Sequence, residues 1–184
     1  MTPVERLLAM LAVRSARRGS FTLASGRQSS LYIDARLTTM SPDGLATIGP
    51  LGLEAIRIAG WTPDAVGGLT LGADPVSYAI AHASALAGTP VRAFTVRKEA
   101  KTHGTGKVIE GPFSSGDTVV IIEDVITTGG SALKAVAAVR AAGGVVLGVL
   151  AVVDREEGGR EAIAAATGLR AVALATASQL LARM

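Results

Sequence analysis

The stretch Val119-Val120-Ile121-Ile122-Glu123-Asp124-Val125-Ile126-Thr127-Thr128-Gly129-Gly130-Ser131 concentrates the residue types that hold a sugar phosphate. An apolar, β-branched run reads as a buried strand, and the Thr/Gly/Ser segment after it opens a helix. Free backbone N–H groups of Thr128, Gly129, Gly130 and Ser131, with the hydroxyls of Thr127, Thr128 and Ser131, would surround a phosphate at the positive end of the helix dipole. Glu123 and Asp124 then stand about a ribose-length away, suited to hold sugar hydroxyls and the hydration shell of a Mg²⁺ ion. Together they describe a pocket for a ribose 5-phosphate. The arrangement is not a Walker loop, because no lysine follows the glycines and the acids precede the loop. Gly104-Thr105-Gly106-Lys107 is too short to be one. A plain strand, turn and helix with Ser131 as N-cap would account for the loop but not for two adjacent acids at the end of a buried strand.

A second chemical cluster is Arg97-Lys98-Glu99-Ala100-Lys101-Thr102-His103-Gly104, three basic side chains and a histidine directly after a strand. Taken alone, such a run is a solvated surface loop. Beside the first stretch it gains meaning. VVIIEDVITTGGS resembles the PRPP-binding motif of the type I phosphoribosyltransferases, where PRPP is phosphoribosyl diphosphate. RKEAKTHG resembles the loop with which the orotate phosphoribosyltransferases cover the diphosphate, reaching into a partner subunit's site. Phe21 to Arg27 is similar to that family's FTL-x-SG-[RK] segment, Tyr32-Ile33-Asp34 to its strand beside the base, and Asp154 to Gly159 to its DR-x-E-x-G segment. Thr70-Leu71-Gly72-Ala73 stands where the family has its diphosphate loop. The likeness runs from Phe21 to Gly159.

The resemblance implies transfer of ribose 5-phosphate from PRPP to N1 of orotate, with release of pyrophosphate and Mg²⁺ as cofactor. It implies an open, mostly parallel α/β sheet flanked by helices, one domain over residues 1–184 with a small N-terminal hood over about 1–40. PRPP would be bound by Arg97, Lys98, Lys101, His103, Thr70 to Ala73 and the whole run from Glu123 through Val125, Ile126 and Thr127 to Ser131. Lys101, Asp124 and Glu123 would be catalytic, Thr127 and Arg155 would bind orotate, and no side chain is assigned as a certain direct metal ligand. A cytoplasmic homodimer with shared sites is implied as well. The chain departs from some relatives, which carry lysines where it has Ala24 and Leu71 and acids where it has Thr102 and Thr105. Two rivals stay open: a phosphoribosyltransferase for another base, and a PRPP-sensing regulator that binds nucleic acid.

The elements that must position these groups are legible in outline. Met1 to Arg18 reads as an amphipathic helix, Phe21 to Arg36 as extended segments broken at Ser25-Gly26, and Asp43 to Ala59 as a helix closed by Gly60. Ala65 to Gly68, Val91 to Val96, Thr118 to Ile122 and Val145 to Val153 read as strands. Pro75 to Ala87, with Asp74 as N-cap and Gly88 past the end, and Ala132 to Ala142, ended by Gly143-Gly144, read as helices. A final helix and strand follow. Strands separated by helices imply parallel pairing through right-handed crossovers, with ligands beyond the strands' carboxyl ends. His82 reads as a packed or solvated helix residue and Trp61 as a loop anchor.

Composition narrows the classes. With 184 residues, 49% of them hydrophobic, the chain can bury one sizeable core. It has no cysteine, so disulfides, thiolate metal sites and a cysteine nucleophile are excluded. A net charge of +3 and 3% aromatic residues disfavour a nucleic-acid platform, and no apolar run approaches the roughly 20 residues of a membrane span. A small anionic substrate fits the modest positive charge better.

Overall fold

The structure is a computed structural model, and it describes residues 1–22, 28–99 and 107–184. The N-terminal part begins with α1 (Pro3–Met10), capped by Thr2 in a reciprocal capping box with Glu5. A π-helical turn, Leu11–Ser15, follows. β1 (Ala16–Thr22) and β2 (Gln28–Ile33) pair antiparallel as a separate two-stranded sheet. The expected helix to Arg18 therefore stops early. Pairing of Ala16 with Ile33 and of Arg17 with Tyr32 supplies backbone partners that override the local helical pattern. Arg36, expected as extended, opens the short helix α2 (Arg36–Thr39) instead.

α3 (Pro42–Ile58) has Ser41 as N-cap and Pro42 in its first turn, and ends close to the expected position. The core sheet comprises β3 (Ala65–Leu69), β4 (Arg92–Val96), β5 (Ile109–Glu110), β6 (Thr118–Ile126), β7 (Val145–Asp154) and β8 (Ala171–Thr176). Their spatial order is β5-β4-β3-β6-β7-β8, parallel throughout except for the two-residue β5. α4 (Ala73–Leu86), α5 (Gly130–Ala141) and α6 (Gly159–Thr167) connect the strands, and α7 (Ala177–Leu181) ends the chain.

Residue alternation along β6 shows that both faces are covered. Val120 and Ile122 join Leu7, Ile48, Val76 and Ile80 in one apolar cluster, while Val119 and Ile121 join Ala135, Val136 and Ile163 in another. Thus α1, α3 and α4 cover one face and α5 and α6 the other, which is why these strands read as continuous apolar runs. From β3 the chain moves to β4 on one side, and from β6 to β7 on the other. The loops after β3 and β6 diverge at that point and leave a crevice at the strands' carboxyl ends. Trp61 anchors its loop: its indole lies where a Cβ on Gly148 would come within 2.1 Å, and the Arg170 guanidinium sits 5.4 Å from the ring centroid. His82 is exposed on α4. Among the described residues no helix is long and apolar enough to cross a membrane.

Candidate active site

β6 carries the acids further than the sequence suggests, because its pairing with β7 continues through Val125↔Val153 to Ile126↔Asp154. Glu123 and Asp124 are therefore strand residues on opposite faces of the sheet, not residues beyond its end. Glu123 is only 5% exposed, and its Oε1 has no hydrogen-bond partner among the described residues. Burial, with the neighbouring Asp124 charge adding to it, pushes the Glu123 carboxyl up to about 8. Burial also raises Asp124, but the Val125 N–H donating to its Oδ1 at 2.8 Å and the positive Arg36 oppose that rise.

Beyond β6 the loop reaches Gly129, whose φ of 84° is left-handed, and α5 starts at Gly130. Gly129, not Ser131, occupies the cap position, and no described side chain caps the helix. The first-turn amides, which lack intrahelical partners, remain for a ligand.

Across the crevice, the loop after β3 is braced from behind. The Thr70 and Thr95 hydroxyls donate to the two carboxylate oxygens of Asp74 at 2.7 and 2.8 Å, and the Tyr78 hydroxyl lies 3.0 Å from that of Thr95. α4 begins at Ala73 with Gly72 as N-cap, so Asp74 is a first-turn acid instead of the expected cap. Gly72 is required by space: a Cβ there would meet the Asp124 carboxylate at 2.5 Å. The Thr70–Leu71 peptide is cis.

These parts meet in a hollow of about 290 Å³. Of the expected site residues, Thr70, Leu71, Gly72, Lys98, Glu123, Asp124, Val125, Thr127, Ser131 and Arg155 line it. Ala73 and Ile126 are buried in the core, and Thr128, Gly129 and Gly130 form the turn beside the hollow without lining it. Arg97 is not among the residues that line it and lies 3.5 Å from Glu110 of β5. Lys101 and His103, with Leu23 to Arg27 and Ala100 to Gly106, lie outside the described residues. Arg155 is 8% exposed in its side chain; its Nη2 donates to the Leu31 carbonyl and contacts Glu157, each at 2.9 Å. The adjacent Glu156, at φ 58°, accepts from the Ser178 backbone and hydroxyl and so pins the turn to α7.

Sequence reading missed Ala35 and Arg36, which also line the hollow beside Tyr32, Ile33 and Asp34. The only signal was a base two residues past an acid. A larger hollow of about 1330 Å³ lies between α3 and α4, lined by groups such as Leu45, Leu53, Trp61 and Leu86. It brings together neither an acid pair nor an uncapped helix start.

Residues 43–173 match the phosphoribosyl transferase domain family. The orotate phosphoribosyltransferase of Aquifex aeolicus is 49% identical over 158 residues, 86% of this chain and 85% of that one. The crystal structure of the Mycobacterium tuberculosis H37Rv orotate phosphoribosyltransferase in complex with Fe(III) dicitrate is 45% identical and superposes with a TM-score of 0.85, over 97% of this chain and 99% of that one. The same enzyme in complex with 5-phospho-alpha-D-ribosyl 1-diphosphate gives 42% identity and a TM-score of 0.81, over 97% and 99%.

Proposed function

Because the chain belongs to the orotate phosphoribosyltransferases, we propose that its smaller hollow binds PRPP and orotate and joins them to orotidine 5′-phosphate, releasing pyrophosphate. The observation that carries the reading is the convergence on one hollow of the Glu123–Asp124 pair, the uncapped start of α5, and Arg155. Amides and hydroxyls from Thr127 to Ser131 hold the 5-phosphate. The backbone of Leu71 and Gly72 with Lys98 receives the diphosphate, and Arg97, Lys101 and His103 act in the covering loop.

Breaking the C1–oxygen bond builds positive charge on the ribose and negative charge on the leaving group, so electrostatics supplies most of the help. Glu123, protonated at neutral pH, donates to a ribose hydroxyl. Asp124 faces the developing cation. Arg155 and Thr127 turn orotate so that N1 attacks C1 from the face opposite the diphosphate, with inversion. Orotate can enter as its dianion, so no protein group has to act as general base.

The residues present fit a Mg²⁺ carried by the substrate. No group of three His, Cys, Asp or Glu among the described residues could hold the ion by itself, yet the buried, unpartnered Glu123 Oε1 and the Asp124 carboxylate could accept from its water shell. When bound it would offset the diphosphate's charge. We read the enzyme as a cytoplasmic homodimer whose covering loop serves the partner's site. The family resemblance supports this, and the largely apolar hollow between α3 and α4, with the exposed Leu86 in its lining, is where a second copy would fit.

Incubation of the pure protein with orotate, PRPP and Mg²⁺ should lower the orotate absorbance and yield pyrophosphate. No loss with orotate, but turnover of another base, would make it a different phosphoribosyltransferase.

A further inference from the structure

We propose that Arg36 is an additional binding residue for the diphosphate of PRPP, held in position by Asp34; this rests on the reading of the hollow as the PRPP site. Arg36 stands at the start of α2 and lines the hollow. Its Nε and Nη2 donate to the two Asp34 oxygens at 2.8 and 3.1 Å, and its backbone N–H donates to Oδ1 at 3.2 Å. That two-point grip fixes the guanidinium plane. Nη1 has no partner among the described residues, and the side chain stays 48% exposed. Asp34 is only two residues away, so the pair ties no distant elements together. Its result is to aim a cation at the hollow.

The charge inventory gives that cation a task. Three carboxylates, Asp34, Glu123 and Asp124, line the hollow, with Lys98, Arg155 and Arg36 as the described cations. The Arg155 Nη2 already meets the Leu31 carbonyl and Glu157. Thr70 to Ala73 carry no charged side chain. A diphosphate arriving there meets, in the described structure, Lys98 and the free edge of Arg36. The position favours the diphosphate over the 5-phosphate: Arg36 and Asp124 are close enough for each charge to act on the other, and the Asp124 carboxylate abuts Gly72 of that loop. A guanidinium suits the group, since its planar donors match phosphate oxygens.

The test is calorimetric and kinetic, on full-length wild type, Arg36→Gln and Arg36→Lys, with thermal melts showing that each is folded. Arg36→Gln should weaken PRPP and pyrophosphate binding about tenfold or more and raise the KM for PRPP in step, because a charge-assisted contact is lost. Ribose 5-phosphate binding and the KM for orotate should stay within about twofold, and Arg36→Lys should recover part of the loss. Unchanged pyrophosphate and PRPP affinity overturns the inference while leaving the enzyme's activity standing. So does a rise confined to the orotate KM, or an equal loss for ribose 5-phosphate. A wild type that neither binds PRPP nor consumes orotate would overturn the reading of the hollow, and this inference with it.

Discussion

Glu123 shows what the site costs the fold. Unfolded, this carboxyl titrates near 4.5; folded, burial pushes it to about 8. Between those values the folded chain holds a proton that the unfolded chain has released. Stability from this group is therefore fully present below about pH 4.5 and is lost as pH rises toward 8, by up to about 1.4 kcal/mol per unit. Glu123→Gln keeps the shape and cannot ionise, so its stability relative to wild type should be greater at pH 8 than at pH 4.5, read from urea midpoints. A constant difference between the two pH values would mean that Glu123 is not held neutral. The buried Arg155 leads to a different expectation. Arg155→Ala should raise the KM for orotate by roughly 10-fold or more, the worth of a charge-assisted pair, and leave that for PRPP nearly unchanged. A selective PRPP defect in steady-state kinetics would move Arg155 to the phosphate side.

At the scale of elements, the sharpest constraint is where α4 begins. Gly72 has φ −63°, so alanine there meets no backbone strain, only the Asp124 carboxylate 2.5 Å from the new Cβ. Gly72→Ala should therefore lower kcat/KM for PRPP about tenfold or more and shift the melting temperature by only a few degrees; full activity would show that the loop and the acid do not need this approach. The strand–helix alternation around it was legible because both faces of the sheet are covered and apolar runs of strand length stand out between helices with ordinary stop signals. The ends were less legible. Glu123 and Asp124 look like a strand's termination, yet β7 supplies partners as far as Asp154. Asp74 looks like an N-cap, yet Thr70 and Thr95 claim its oxygens. Arg14 reads as the polar face of a longer helix but pairs with Asp43 at 2.7 Å, next to a chain already turning into β1. Each miss is a contact between residues distant in sequence or a backbone partner on another strand. Arg36 went unnoticed for the same reason: its meaning comes from the hollow above which α2 starts.

The whole molecule is expected to work in pairs, and complementation can show it. A Lys101→Ala chain would donate a defective loop and keep its ribose pocket, whereas an Asp124→Asn chain has the opposite fault. Mixed under conditions of subunit exchange, the two inactive dimers should recover about a quarter of wild-type activity, the limit for random pairing with independent sites. Exchange proven by mass spectrometry without any recovery would place Lys101 in its own chain's site or in none. The strand order also sets an order in time. β3-α4-β4 and β6-α5-β7-α6-β8 are each built from strands adjacent in sequence, and their strands pair with one another at β3–β6, where Ala65 pairs with Val119. Closing that seam joins residues far apart along the chain, so it is expected to be the slower pairing. Thr70 to Ala73 belong to one half and Glu123 to Ser131 to the other, so PRPP would act as a staple across the seam. With PRPP bound, hydrogen exchange should slow at Gly67 and Ile121 well before it slows at Val149 and Leu150 in the interior of the second half. Uniform slowing would mean that the two halves open only together.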